Sequence, residues 1–283
     1  MDQRAAIQTR IEALLEQGRL KPPGLPDIAL RVRRAVQDEN IEIADLARLI
    51  QTDIPLMGRL IQVVNSPLYR GDSEIDNLHA AITRLGLDVT RNLVLSFSLR
   101  RSFTSKRARL NRVAKENWKH SVKVAAIAFV LARVTPRLDP EQALLGGLVH
   151  NVGILPVLAY AERDLDLIRD TELFQSLVQQ PQTRLTALVL KQWRFESEFI
   201  DQVRQMGLSD RYGPAVAELA DVVIVARLLA GLGSSSQHAL AELEEKAVIA
   251  RFPLFELGTG AALELLSEAR EEMIELTELL TRA

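Results

Sequence analysis

Near the middle of the chain, Gly147-Leu148-Val149-His150-Asn151-Val152-Gly153 sets an imidazole beside a carboxamide at the end of an apolar run. A His followed by an Asp at such a place supplies two metal ligands and points to metal-assisted hydrolysis of a phosphate ester. Here the second residue is Asn, which offers one neutral carbonyl oxygen. Hard divalent cations favour anionic oxygens, and an imidazole-rich site needs several neutral His to hold iron, manganese or zinc. Cysteine is absent, which excludes disulfides, thiolate zinc sites and cysteine nucleophiles together. No Ser lies in a Gly-x-Ser-x-Gly setting.

The segments around this pair read as helices with short connections. Ile7, Ile11, Leu14 and Leu15 recur at helical spacing, and a second helix opens at Asp27 with Ile28, Val32 and Val36 on one face. Residues 43–51 and 54–64 form a pair separated by Thr52-Asp53-Ile54-Pro55, a cap followed by a proline in the first turn. Asn65-Ser66-Pro67 ends that helix and fixes a turn. Asn77 caps a helix closed by Gly86, Asp88 is expected to cap the next, to about Phe103, and a longer helix covers 111–134. Asp139-Pro140-Glu141-Gln142 resembles a capping box with Pro at the first helical position, and it opens the helix that runs into His150. Further helical patterns cover about 165–179, 184–193, 197–206, 214–231, 238–249 and 260–281, and strand alternation is found nowhere. The expected fold is all-α. Gly231 to Ser236 is the one linker-like stretch.

Length and composition agree with this. The 283 residues are 47% apolar and 25% charged, enough for one large domain or two ordinary ones. Met-Asp-Gln-Arg-Ala-Ala-Ile is no secretory signal, and the apolar runs 124–134 and 222–232 fall short of the ~20 residues of a membrane helix. A cytoplasmic protein without a membrane partner is expected.

Five motifs in a fixed order resemble the HDOD family: Leu49-Ile50-Gln51-Thr52-Asp53-Ile54-Pro55-Leu56, Val64-Asn65-Ser66-Pro67-Leu68-Tyr69, Ala80-Ala81-Ile82-Thr83-Arg84-Leu85-Gly86, Trp118-Lys119-His120-Ser121 and Gly147 to Gly153. The resemblance implies a bacterial, cytoplasmic signalling module of two helical lobes, related to metal-dependent HD phosphohydrolases but usually without their activity. On this basis residues 1–18 form an N-terminal helix, 19–105 and 106–230 the two lobes of an HDOD domain over 19–230, and 231–283 a helical extension packing on it.

The same resemblance maps the metal site of the HD enzymes residue by residue. The first His falls on His120 and the second on His150, while the Asp of the pair becomes Asn151. A further His falls on Gln182, eleven residues before Trp193, and a His-His pair falls near Gln205 and Met206. The late Asp becomes Arg227 within Ala226-Arg227-Leu228-Leu229-Ala230, with Asp221 as a substitute earlier in the helix. A guanidinium in place of a carboxylate adds a charge that cannot be relieved by deprotonation. Arg227 either plugs the vacated position by hydrogen-bonding to the Asn151 carbonyl or is a solvated position on an amphipathic helix. His120 and His150 are expected to be structural, Trp118 and Trp193 core or half-buried, and His79 and His238 at the surface.

A net charge of −2 hides two opposed blocks. Arg91 to Lys123 holds ten Lys or Arg against Glu116, and Gln237 to Ala283 holds ten Glu against four Lys or Arg. Within the first, Arg100, Arg101, Lys106, Arg107, Arg109 and Arg112 could form an anion-binding or partner surface. The alternative is a solvated face, or one neutralised by the acidic C-terminal helices. Specific nucleic-acid readout is not expected, since aromatic interleaving is sparse and no helix-turn-helix pattern is present.

The function expected from these residues is a non-catalytic signalling or regulatory module, without cofactor or metal, acting on a protein partner as a monomer or homodimer. Two alternatives stand beside it: an HD-type phosphohydrolase or phosphodiesterase with residual activity through His120 and His150, and a sensor that binds a nucleotide second messenger without hydrolysing it.

Overall fold

In a computed structural model, residues 3–38, 40–180, 182–207, 216–231, 248–252, 254 and 259–281 are described. They are helical with no strand among them. His238, the 238–249 pattern except its last two residues, and all of the linker-like stretch but Gly231 lie outside these residues.

The first elements are α1 (Gln3–Glu16), α2 (Asp27–Val36), α3 (Ile43–Ile50), α4 (Ile54–Val64), α5 (Leu78–Leu85) and α6 (Leu87–Leu99), the last extended by a 3-10 turn at Arg100–Ser102. Polar caps set several starts: Asp53 accepts from the Leu56 N–H at 3.1 Å and Asn77 from the Ala80 N–H at 2.9 Å. Asp88 does not cap. It lies inside the first turn of α6 and pairs with Arg91 at 3.1 Å, one turn on. α2 to α6 pack on one another through buried Val32, Leu46, Ile50, Leu60, Ile82 and Leu93.

The second group is organised by α7 (Ala108–Arg133), a 26-residue helix whose stretch from Val124 to Ala132 is buried on every side. α8 (Pro140–Val149) lies against it and also meets α6. Asp139 starts α8 by accepting from the Glu141 and Gln142 amides at 2.9 and 3.2 Å. α9 (Ile154–Ala161), α10 (Leu165–Arg169), α11 (Thr171–Gln179), α12 (Thr183–Gln192), α13 (Ser197–Gln205) and α14 (Leu219–Gly231) follow. α1 packs on α9, α11 and α12 rather than on its sequence neighbours. α15 (Thr259–Glu268) and α16 (Arg270–Thr281) close the described chain, and α16 packs on α7.

Close approach of α7 and α8 depends on Gly147. A Cβ there would lie 2.4 Å from the Ala125 Cα, which no backbone tolerates. Gly153 is similarly confined, since a Cβ would meet the Gln182 carbonyl oxygen at 2.5 Å. These two glycines bracket His150 and Asn151 and bring both against neighbouring helices.

One apolar segment, Pro140–Ala161, is long and apolar enough to cross a membrane by composition, and 83% of its most apolar window is buried inside the fold. Its hydrophobicity is spent on the core.

Candidate functional site

α7 passes α8 so that Glu116, Asn117 and His120 face the His150-Asn151 turn. Val178, Gln179 and Gln180 at the end of α11 and Arg227 from α14 complete a cavity of about 310 Å³. The two imidazoles stand edge to face with centroids 5.8 Å apart.

His150 forms the floor. Its Nδ1 lies 2.6 Å from the Gly147 carbonyl oxygen, a contact that requires the proton on Nδ1 and leaves the Nε2 lone pair free. Burial, helped by His120 and Arg227 and opposed by the Gly147 hydrogen bond, holds its pKa down at about 3. It is neutral at physiological pH. His120 is more exposed, and its pKa is also lowered, by desolvation first and then by Lys123 and Arg227.

Asn151 is held from the side. Its Nδ2 donates to the Asn117 Oδ1 at 2.8 Å, and Asn117 donates in turn to the Val113 carbonyl at 3.1 Å. The Asn151 carbonyl oxygen is buried with no hydrogen-bond partner. Arg227 lines the same cavity, yet its guanidinium makes no hydrogen bond to that oxygen, so the expected plug is not formed. Arg227 is half-buried, and burial lowers its pKa. Asp221 is no substitute ligand: fully buried, it pairs with Arg251 at 2.6 Å and accepts from the Glu218 amide at 2.9 Å.

Gln182 also departs from expectation. It is buried behind Gly153, outside the cavity lining, and donates to the Leu177 carbonyl. Met206 packs in the core and, like Gln205, is not among the lining residues. Trp118 and Trp193 are buried and His79 is exposed. Glu116, Asn117, Gln179 and Gln180 were not anticipated. For the first two a signal exists, because 116, 117 and 120 share one face of α7.

Several side chains of the basic segment make contacts within the molecule. Arg101 makes two hydrogen bonds to Asp53 at 2.8 and 3.2 Å, and Arg109 reaches the Ile168 carbonyl at 2.7 Å and the Thr171 hydroxyl at 3.2 Å. Arg107 donates to the Glu162 carbonyl at 3.4 Å, Arg112 pairs with Glu116 at 3.4 Å, and one Arg100 nitrogen is buried without a hydrogen-bond partner. The Lys106 side chain is exposed. Arg101, Arg107, Arg109 and Arg112 are exposed as well, with these contacts lying at the surface.

A model of the HDOD domain matches residues 23–207. The chain belongs to the HDOD family. A structure from Shewanella amazonensis, provisionally named a metal-dependent phosphohydrolase, superposes on this HDOD chain with a TM-score of 0.81 at 26% identity, over 99% of this chain and 100% of that one. An HDOD domain protein from Geobacter sulfurreducens aligns with a TM-score of 0.67 at 20% identity, over 97% and 98%, a likeness of fold alone. In sequence, a protein of Treponema pallidum (strain Nichols) is 29% identical over 157 residues, which is 53% of this chain and 28% of that protein.

A metal in this HDOD cavity would have to be held by His150, His120, the Asn151 oxygen and the Glu116 carboxylate, which pairs with Arg112 at 3.4 Å, with Arg227 in the same lining. Two imidazoles, a carboxamide and one carboxylate already paired with an arginine, beside the Arg227 charge, do not fit a divalent ion that wants several anionic oxygens or more neutral imidazoles. Among the described residues no group of three or more His, Asp and Glu converges as a ligand set.

Proposed function

We propose that this HDOD chain is a non-catalytic regulatory module of a bacterial signalling pathway, working in the cytoplasm through a protein partner. The observation that carries the reading is the donor set around His150. Asn151 stands where a carboxylate would be needed, its amide is fixed by Asn117, and Arg227 brings positive charge to the same space. Water activation at neutral pH needs a cation to lower its pKa, and these residues do not favour one. The lobes 19–105 and 106–230, with 231–283 as an extension, are the units proposed to carry partner contacts, in a monomer or homodimer. Affinity capture from the native cell, repeated with purified candidates, tests the partner: a direct complex with a signalling protein supports the reading. A chain that turns over a phosphate ester, with a metal that depends on His150, refutes it.

A second reading has one specific observation in its favour. The Nδ1–H of His150 is anchored on a backbone carbonyl, leaving Nε2 free, as in imidazoles that bind metals. Together with the provisional name of the Shewanella protein, this supports a residual metal-dependent phosphohydrolase. Metal content separates the two readings.

A further inference from the structure

Arg227 poses a physical question that the partner reading leaves open. A guanidinium presents five N–H donors and stays charged, so partial burial without a partner costs stability. Among the described residues it has no ion pair and no hydrogen bond. The carboxylates nearest in sequence or in the cavity are engaged elsewhere: Asp221 with Arg251 at 2.6 Å, Glu116 with Arg112 at 3.4 Å. Lys123, which adds positive charge near His120, donates to the Ala230 carbonyl at 2.8 Å rather than to an acid.

The His150-Asn151 turn in the same lining has the converse deficit. Asn151 offers a buried carbonyl oxygen with no donor, and His150, with its proton on the Gly147 side, offers the Nε2 lone pair. The cavity thus brings an unmatched cation and two unmatched acceptors into one lining. Between them lies about 310 Å³, more than a bare inorganic anion fills, with Val178 as an apolar wall.

We propose that this cavity is a receptor for a small organic oxyanion, a phosphate monoester or a carboxylate, gripped by Arg227 without a metal and donating hydroxyl or amine hydrogens to Asn151 and His150. Arg is suited to the first task because its planar fork matches two oxygens of either group. A bare divalent cation is disfavoured by the same Arg227 charge, and a purely apolar ligand would leave all three polar groups unsatisfied. Binding of this kind is independent of the partner reading and gives the module a small-molecule input.

The test is calorimetric titration of the full chain, in the presence of a chelator, with three probes: adenosine monophosphate, glycerol phosphate and malate. At least one saturates, and the pattern tells phosphate monoester from carboxylate. Arg227→Gln weakens that binding about tenfold or more, whereas Lys106→Gln, in the basic segment outside the cavity, leaves it unchanged. A separate readout needs no ligand: Arg227→Leu in the free protein raises Tm by roughly 2–4 °C, because an unmatched charge is removed. The proposal is overturned if none of the three probes binds at millimolar concentration. It is equally overturned by affinity indifferent to Arg227, by binding that appears only with a divalent metal, or by a lower Tm in Arg227→Leu.

Discussion

At the scale of single residues, His150 has the environment with the clearest measurable consequence. Its pKa is held at about 3 in the folded chain against an ordinary value of 6.5, so the unfolded chain binds more protons between those limits. Stability present above pH 6.5 is lost as pH falls toward 3, by an amount on the order of 4 kcal/mol. His150→Gln, which does not titrate, should flatten this part of a plot of unfolding free energy against pH, and an unchanged slope would contradict the account. Glu141 acts in the opposite sense. Burial, with Asp139 beside it, pushes its carboxyl up to about 7 even though the Tyr69 hydroxyl donates to it at 3.0 Å. The folded chain therefore holds an extra proton between about 4.5 and 7, and stability from this group falls as pH rises through that window. Glu141→Gln keeps an acceptor for Tyr69 and should stabilise the protein at pH 8 by about 1–2 kcal/mol, with little effect at pH 5. Of the site itself, His120, His150 and Arg227 were legible as candidates because the family motifs place them. The Asn117–Asn151 bond and the contribution of α11 were not, since they join residues distant in sequence through packing alone.

At the scale of elements, the contact between α7 and α8 is what gives the cavity its shape. Gly147→Ala forces a methyl group into the Ala125 backbone, and the two helices must separate. The expected loss is at least about 2 kcal/mol, read from denaturant unfolding, with His150 losing its fixed position against the Gly147 carbonyl. An unfolding midpoint equal to wild type would show that the helices are not held this tightly. Helix starts with polar caps, at Asp53, Asn77 and Asp139, could be read from sequence because one side chain decides each. α9 could not be placed that way: Ile154 to Ala161 is almost wholly buried, so no polar face marks a helical period. The pattern over 165–179 turned out to be two helices, broken where the Asp170 side chain accepts from the Leu173 amide at 3.0 Å. That over 260–281 likewise breaks at Ala269, between α15 and α16. In both places one apolar periodicity runs across a local change of direction that periodicity does not record.

Across the whole molecule, charge and apolar contact both tie α16 to α7. Arg133 of α7 pairs with Glu272 of α16, while Leu276, Leu279 and Leu280 of α16 are buried. Apolar contact is therefore the main tie, because a pair that is partly exposed contributes little. Leu276→Ala should lower stability by about 2–4 kcal/mol, whereas Glu272→Ala should cost less than about 1 kcal/mol. Equal effects in denaturant unfolding would mean that charge, not packing, holds α16. The fold keeps the shape of the Shewanella protein over its whole length. The most direct measurement is the metal content of the purified full chain together with its hydrolysis of a phosphodiester when iron, manganese or zinc is supplied. Far less than one ion per chain and turnover no faster than buffer are expected. One ion per chain that His150→Ala removes, along with measurable hydrolysis, would contradict it.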